Sequence, residues 1–225
     1  MQKMVKVPEL FMKFLIVMLI YVLPLFISAG TINWLEAWIC LIIAFIGFGG
    51  TTIWLYYENP SLLALRAKIM RPSKGWDKLV IYLLLITVIL VLSVSGIDYR
   101  LKISNVPFLI KTFGLVMLII AFLIYFLTNR ENRYLSKTVE IQDSQKVIDT
   151  GIYRVVRHPL YLSICLMIIS IPLALGTLLT YTPSLLFIIL IIIRIHYEEQ
   201  VLVEELTDYK NYKKAVRYRL IPWIW

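Results

Sequence analysis

Two groups of polar side chains interrupt an otherwise apolar C-terminal half: Arg157-His158-Pro159-Leu160-Tyr161 and Arg194-Ile195-His196-Tyr197-Glu198-Glu199. They hold both histidines of the chain, and the runs between them, Leu160 to Leu175 and Leu178 to Ile193, carry no charge. Gly176 lies midway, 18 residues after His158 and 18 before Arg194. Two helices folded back on Gly176 would bring both clusters to one end of the pair. Pro159 suits a first helical turn, where its missing N–H costs nothing. That places Arg157 and His158 at a helix N-terminus, whose free N–H groups and positive dipole end favour a carboxylate or another anion. Tyr161 follows one turn in. Arg194 and Glu198, four residues apart, share a helix face. An arginine there can hold a carboxylate through two parallel hydrogen bonds, and Glu199 or His196 can take a proton from an amine nucleophile. Taken alone, the second cluster is equally a juxtamembrane arginine beside a solvated Glu pair. Opposite the first cluster, chemistry is the better reading.

The elements that must position these groups are membrane helices. With 60% hydrophobic residues, 16% charged residues and a mean hydropathy of +0.80, this 225-residue chain carries more apolar surface than a soluble domain of its size can hide. Crossing a hydrocarbon core of about 30 Å takes ~20 helical residues. Phe11 to Ala29, Leu35 to Tyr57, Leu79 to Ile97 and Phe108 to Leu127 qualify, and the two shorter runs around Gly176 reach that span only by continuing into the polar clusters. The expectation is an all-α, polytopic membrane helical protein of about six transmembrane helices, with a C-terminal helical hairpin. Residues 1–127 would form a four-helix membrane region, and residues 128–225 a C-terminal region that carries both polar clusters. Of the 23 Lys and Arg residues, all but Arg100, Lys102 and Lys111 fall on one side of this topology. Cytoplasmic connections are enriched in both residue types, so both termini are expected in the cytoplasm. The net charge of +9 is then juxtamembrane, attracted to anionic lipid, and requires no nucleic acid.

Several function classes drop out. Phe11 to Ala29 is too long for a secretory signal core and lacks a small-residue cleavage site, so it reads as a first helix. Cys40 and Cys165 sit inside apolar runs and offer neither a disulfide framework nor a metal pair. His196 and Glu199 lack the spacing of a zinc helix and a third ligand, so no metal is expected. Gly47-Phe48-Gly49-Gly50 lies within a span, where small residues allow close helix packing rather than nucleotide binding. No charge sits mid-span and the halves show no repeat, which argues against a transporter. Two polar connections are longer than a turn requires: the stretch after Asn59-Pro60-Ser61, read as interfacial, and Asn129 to Arg157, with a turn at Thr150-Gly151; the C-terminal segment from Val201 to Trp225 is read as an amphipathic surface helix or a lid, with Trp223 and Trp225 as interfacial anchors.

Gly151-Ile-Tyr153, Arg157-His-Pro-Leu-Tyr161, the Glu198-Glu199 pair and the tail from Asp208 to Pro222 resemble the isoprenylcysteine carboxyl methyltransferase family of integral membrane methyltransferases. The likeness runs from about Gln142 to the C-terminus. It implies that residues 128–225 are a catalytic region with a cytoplasmic cofactor pocket for S-adenosyl-L-methionine as methyl donor, with contacts at Gln145, Lys146, Val147, Ile148, Tyr153, His158, Pro159, Leu160, Tyr161 and Glu198. It implies a substrate-orienting role for Arg194, and Glu199 stands beside it as the candidate proton acceptor. Gln145 replaces a histidine common in the family. The implied function is methylation, preferably of a carboxylate, on a lipid-like or prenylated acceptor from the bilayer of a prokaryotic cytoplasmic membrane. A phospholipid amine N-methyltransferase, an NADPH-dependent reductase and a noncatalytic membrane protein are the alternatives. The oligomeric state is not read from the sequence.

Overall fold

The apolar runs become helices that overshoot them. The computed structural model describes residues 7–67, 74–136, 138–139, 141–142 and 145–225. Lys3, Lys6, Lys68, Arg71 and Lys137, which contribute to the charge asymmetry, lie outside them. Among the described residues the helices are α1 (Val7–Ala29), α2 (Leu35–Glu58), α3 (Pro60–Ala67), α4 (Gly75–Leu101), α5 (Phe108–Glu131), α6 (Pro159–Leu175), α7 (Tyr181–Glu205) and α8 (Tyr209–Ala215). α1, α2, α4, α5 and α7 are long and apolar enough to cross a membrane. The outward faces of these helices expose Ile27, Phe108 and Leu109 at 72%, 84% and 79%, a surface suited to hydrocarbon rather than water. The protein is an integral membrane protein.

The short run before Gly176 behaves differently from the one after it. α7 continues past its apolar stretch through the Glu pair to Glu205, whereas α6 stops at Pro159 and has 17 residues. At 1.5 Å per residue α6 is about 26 Å long, short of a full hydrocarbon core. Five helices therefore meet the length requirement where six crossings are expected. The tail also differs from a single amphipathic helix: α7 takes its first residues, α8 is a seven-residue helix, and irregular chain follows.

Local chemistry sets the boundaries near the site. Asn59 Oδ1 accepts the Leu62 N–H at 3.1 Å and Pro60 opens the first turn, which starts α3 immediately after α2. Gly176 takes the left-handed conformation (φ +74°), and the Thr177 N–H closes the turn on Pro172 O at 2.8 Å.

Small residues let the helices approach. A Cβ on Gly114 of α5 would lie 2.4 Å from the Ala174 backbone nitrogen of α6, and one on Gly96 of α4 would lie 2.5 Å from Leu25 O of α1. In the glycine group of α2, Gly47 is covered by the Phe122 ring, Gly49 faces the Phe14 ring, and Gly50 faces open space. The core joins Leu25, Trp34, Ala37, Leu92, Leu118, Ala121, Met167 and Ala174 from α1, α2, α4, α5, α6 and the turn before α2. At the end away from the clusters, Asp98 accepts the Ser104 and Leu179 N–H groups at 2.9 and 3.0 Å, tying the α4–α5 connection to the turn before α7. Lys111 pairs with Glu36 at 2.7 Å there. The other end gathers the close of α2, the start of α4, the close of α5, the start of α6 and the close of α7.

Gly114→Val should lower stability by about 1–3 kcal/mol through overpacking against α6, whereas Gly50→Ala should be neutral. Thermal unfolding of the detergent-purified variants distinguishes the two positions; equal effects would contradict the close α5–α6 approach.

Candidate functional site

The two clusters meet through one buried carboxylate. Glu199, 3% exposed, accepts Arg157 Nε at 2.6 Å on Oε1, with His158 Nε2 at 3.4 Å from the same oxygen. Its Oε2 accepts Arg219 Nε at 3.1 Å and lies 3.3 Å from Lys213 Nζ. Arg157 also donates through Nη1 to Val216 O and Arg217 O at 2.7 and 2.8 Å. The start of α6, the close of α7 and the tail are thereby joined. The tail reaches further: the Arg157 and His158 N–H groups donate to Tyr218 O and Arg219 O at 2.9 and 3.0 Å. These two amides precede the first turn of α6 and pair with the tail.

A polar cavity opens beside this tie. Gln145, Lys146, Val147, Ile148, Tyr153, His158, Pro159, Leu160, Tyr161 and Glu198 all border it, so every residue expected to contact a cofactor is brought to one space. Gly151 (φ +51°) starts a 3-10 turn, Gly151–Arg154, that presents Tyr153. The Tyr153 hydroxyl accepts Asn132 Nδ2 at 2.9 Å and its carbonyl accepts the Tyr212 hydroxyl at 2.7 Å. Gln145 Oε1 accepts the Gln142 N–H at 2.9 Å. The Tyr161 hydroxyl donates to Glu198 Oε2, and the His158 and Tyr161 rings stack with centroids 5.7 Å apart. Leu206, Tyr209 and Tyr212 add a wall from the tail, packed on Ile141 and Val147. Burial pushes the phenols of Tyr153, Tyr209 and Tyr212 above the usual tyrosine range, which keeps them neutral. Among the described residues, the buried Tyr209 hydroxyl has no hydrogen-bond partner.

A second, apolar cavity of about 480 Å³ runs between the helices, within the usual range for small-molecule sites. Along α6 it is bordered from Leu160 and Tyr161 through Ile164, Met167, Ile168 and Ile171 to Leu175, a distance of about 22 Å at helical rise. Leu160, Tyr161 and Ser136 border both cavities. At this shared end stand Arg194 and Arg66, and among the described residues no acidic side chain lines the apolar cavity. Arg194 is held by Asp77, with Nε and Nη2 at 3.1 and 3.0 Å from Oδ1, and its guanidinium carbon lies 5.7 Å from the Tyr161 ring centre. Arg66 donates to Leu135 O at 2.9 Å and to Asn129 Oδ1.

Shared walls between a polar and an apolar cavity, built from the Arg157–Tyr161 and Arg194–Glu199 segments, give the sequence resemblance a spatial meaning. Over residues 109–204 the chain matches the isoprenylcysteine carboxyl methyltransferase (ICMT) family. The matched stretch carries α5, the long connection, α6 and nearly all of α7, and with it every candidate cofactor contact. No curated protein matches the chain.

Within the ICMT stretch, Glu199 and Arg194 stand apart from the ten cofactor candidates: Arg194 faces the apolar cavity, and Glu199 borders neither. His196 lies outward, 3.1 Å from Gln200 Nε2. Asp77 and Arg66 were not singled out as site residues from the sequence, and Tyr209 was read only as part of the tail; all three lie outside the ICMT match. Asp77 is an acid at the head of a span, where solvation is the ordinary state, and Arg66 counts as one more juxtamembrane cation; their burial and pairing arise from contacts distant in sequence.

Glu199→Ala should leave Arg157 buried without its carboxylate, costing about 3 kcal/mol and releasing the tail. Protease cleavage after Lys210, Lys213 or Lys214 should accelerate relative to the unaltered protein; unchanged cleavage would contradict the tie.

Proposed function

We propose that the protein methylates a carboxylate on a lipid-like or prenylated acceptor, using S-adenosyl-L-methionine at the cytoplasmic face of the membrane. The carrying observation is the common border of the two cavities at Leu160 and Tyr161. The polar cavity fits such a donor in its chemistry: Glu198 suits hydroxyl or ammonium groups, the Gln145 amide and the orphaned Tyr209 hydroxyl supply hydrogen bonds, and Val147, Ile148, Leu202 and Leu206 offer apolar walls for a flat base. Bound there, the donor supplies an electrophilic methyl group on a sulfonium.

What remains is positioning and water exclusion. Arg194 orients the acceptor carboxylate at the cationic end of the apolar cavity, while the α6 stripe from Ile164 to Leu175 takes the chain behind it. A carboxylate nucleophile has no proton to lose. This agrees with the state of Glu199, whose oxygens are committed to Arg157, Arg219 and Lys213; an amine acceptor would need it, or another base, as proton acceptor. Tyr209 and Tyr212 close the polar cavity from the tail. The Lys and Arg asymmetry supports both termini lying in the cytoplasm.

Labelled S-adenosyl-L-methionine incubated with the purified protein and a membrane lipid extract should give product whose label mild base releases as methanol, the signature of a methyl ester. A base-stable label would mean amine methylation, and donor-independent NADPH oxidation a reductase. Arg194→Ala should lower turnover by about 100-fold or more, the scale of a lost positioning contact, with little change in donor affinity. Tyr209→Phe should weaken S-adenosylhomocysteine binding by about 0.5–1.5 kcal/mol, one net hydrogen bond. Because burial raises the Tyr209 phenol above its ordinary pKa of 10.0, it stays a donor as pH rises, and its contribution should persist from pH 7 to about 10.

A further inference from the structure

Asp77 stands in the first turn of α4 with no exposed surface, and its two carboxylate oxygens face different halves of the site. Oδ1 receives Arg194, through Nε at 3.1 Å and Nη2 at 3.0 Å. Oδ2 accepts the Val139 N–H at 2.9 Å. Val139 borders the polar cavity and Arg194 the apolar one. A buried carboxylate is costly unless its oxygens are occupied, and here both are occupied by groups that belong to the two proposed binding spaces. An unrestrained arginine samples many rotamers; holding two of its N–H groups on one oxygen fixes the plane of the guanidinium.

We propose that Asp77 is a positioning residue that fixes the acceptor-facing guanidinium of Arg194 and, through its second oxygen, anchors the connection walling the donor cavity. The inference rests on the function proposed above. Asp77 touches neither ligand; it acts by setting where Arg194 points and by tying that orientation to the Val139 backbone. Asn at this position keeps an oxygen for the Val139 amide but loses the charge and the second acceptor.

The test compares Asp77→Asn, Arg194→Gln and the double variant of the full chain, with labelled S-adenosyl-L-methionine and a long-chain carboxylic acid, alongside titration with S-adenosylhomocysteine. Asp77→Asn should lower acceptor kcat/KM at least about tenfold, as expected for a misplaced orienting group, while S-adenosylhomocysteine affinity changes by no more than about threefold. Adding Asp77→Asn to Arg194→Gln should have no further kinetic effect, because the group being positioned is already gone. The double variant also leaves no buried arginine unpaired, so it separates folding from positioning. An unchanged acceptor kcat/KM, effects that multiply in the double variant, or collapse of the double variant to an unfolded protein would overturn the proposal. An unaltered protein that neither binds S-adenosylhomocysteine nor transfers a methyl group would instead overturn the function on which it rests.

Discussion

The site depends on a carboxylate that cannot stand alone. Glu199 is buried where the apolar length of α7 gives way to its polar end, and only paired cations make that placement tolerable. Arg157 supplies the nearest, at 2.6 Å, from the residue pair preceding α6. Arg219 and Lys213 supply the others from the tail. Three chain segments therefore converge because one charge requires them. The walls of the polar cavity follow: the start of α6 brings His158 and Tyr161, the close of α7 brings Glu198, and the tail brings Tyr209 and Tyr212.

A second buried charge pair, Asp77 with Arg194, stands at the polar end of the apolar cavity. The two pairs lie at the same end of the helices but serve different spaces. Glu199 holds the enclosure of a polar pocket, and Asp77 holds the cation facing an apolar one. Between them, Leu160 and Tyr161 are common to both walls. A polar nucleotide and an apolar chain have incompatible solvation needs, and a membrane-edge protein can meet both by dividing the spaces and letting them meet at one end. Methyl transfer needs little else, since no proton must move when the nucleophile is a carboxylate.

Much of this was legible in the residues. Gly176 lies 18 residues from both His158 and Arg194; the turn through Leu178–Thr180 delays the start of α7, so His158 meets Glu199, about one turn beyond Arg194. The ten cofactor candidates share a cavity because they come from segments whose ends the two clusters define. Other features were not legible. The start of α6 at Pro159 was readable, but the pairing of the tail with residues 157 and 158, which holds them outside the helix, was not, because it joins segments distant in sequence. Asp77 lies 117 positions from Arg194, and nothing in Trp76-Asp77-Lys78 distinguishes an exposed headgroup acid from a buried partner. Tyr209 gains meaning only from the closure of α8 over the cavity. The glycines of α2 illustrate the same limit: they are equivalent as composition, yet only Gly47 meets a ring pressed against it, and Gly50 faces open space.

Calorimetric titration with S-adenosylhomocysteine tests the division of the two spaces most directly, performed on the unaltered protein, Glu198→Ala and Ile171→Trp. Binding to the unaltered protein, at least about tenfold weaker in Glu198→Ala after loss of a charge-assisted hydrogen bond and unchanged in Ile171→Trp, is the predicted result. No binding to the unaltered protein, or weakening by Ile171→Trp rather than by Glu198→Ala, would contradict the assignment of the donor to the polar cavity.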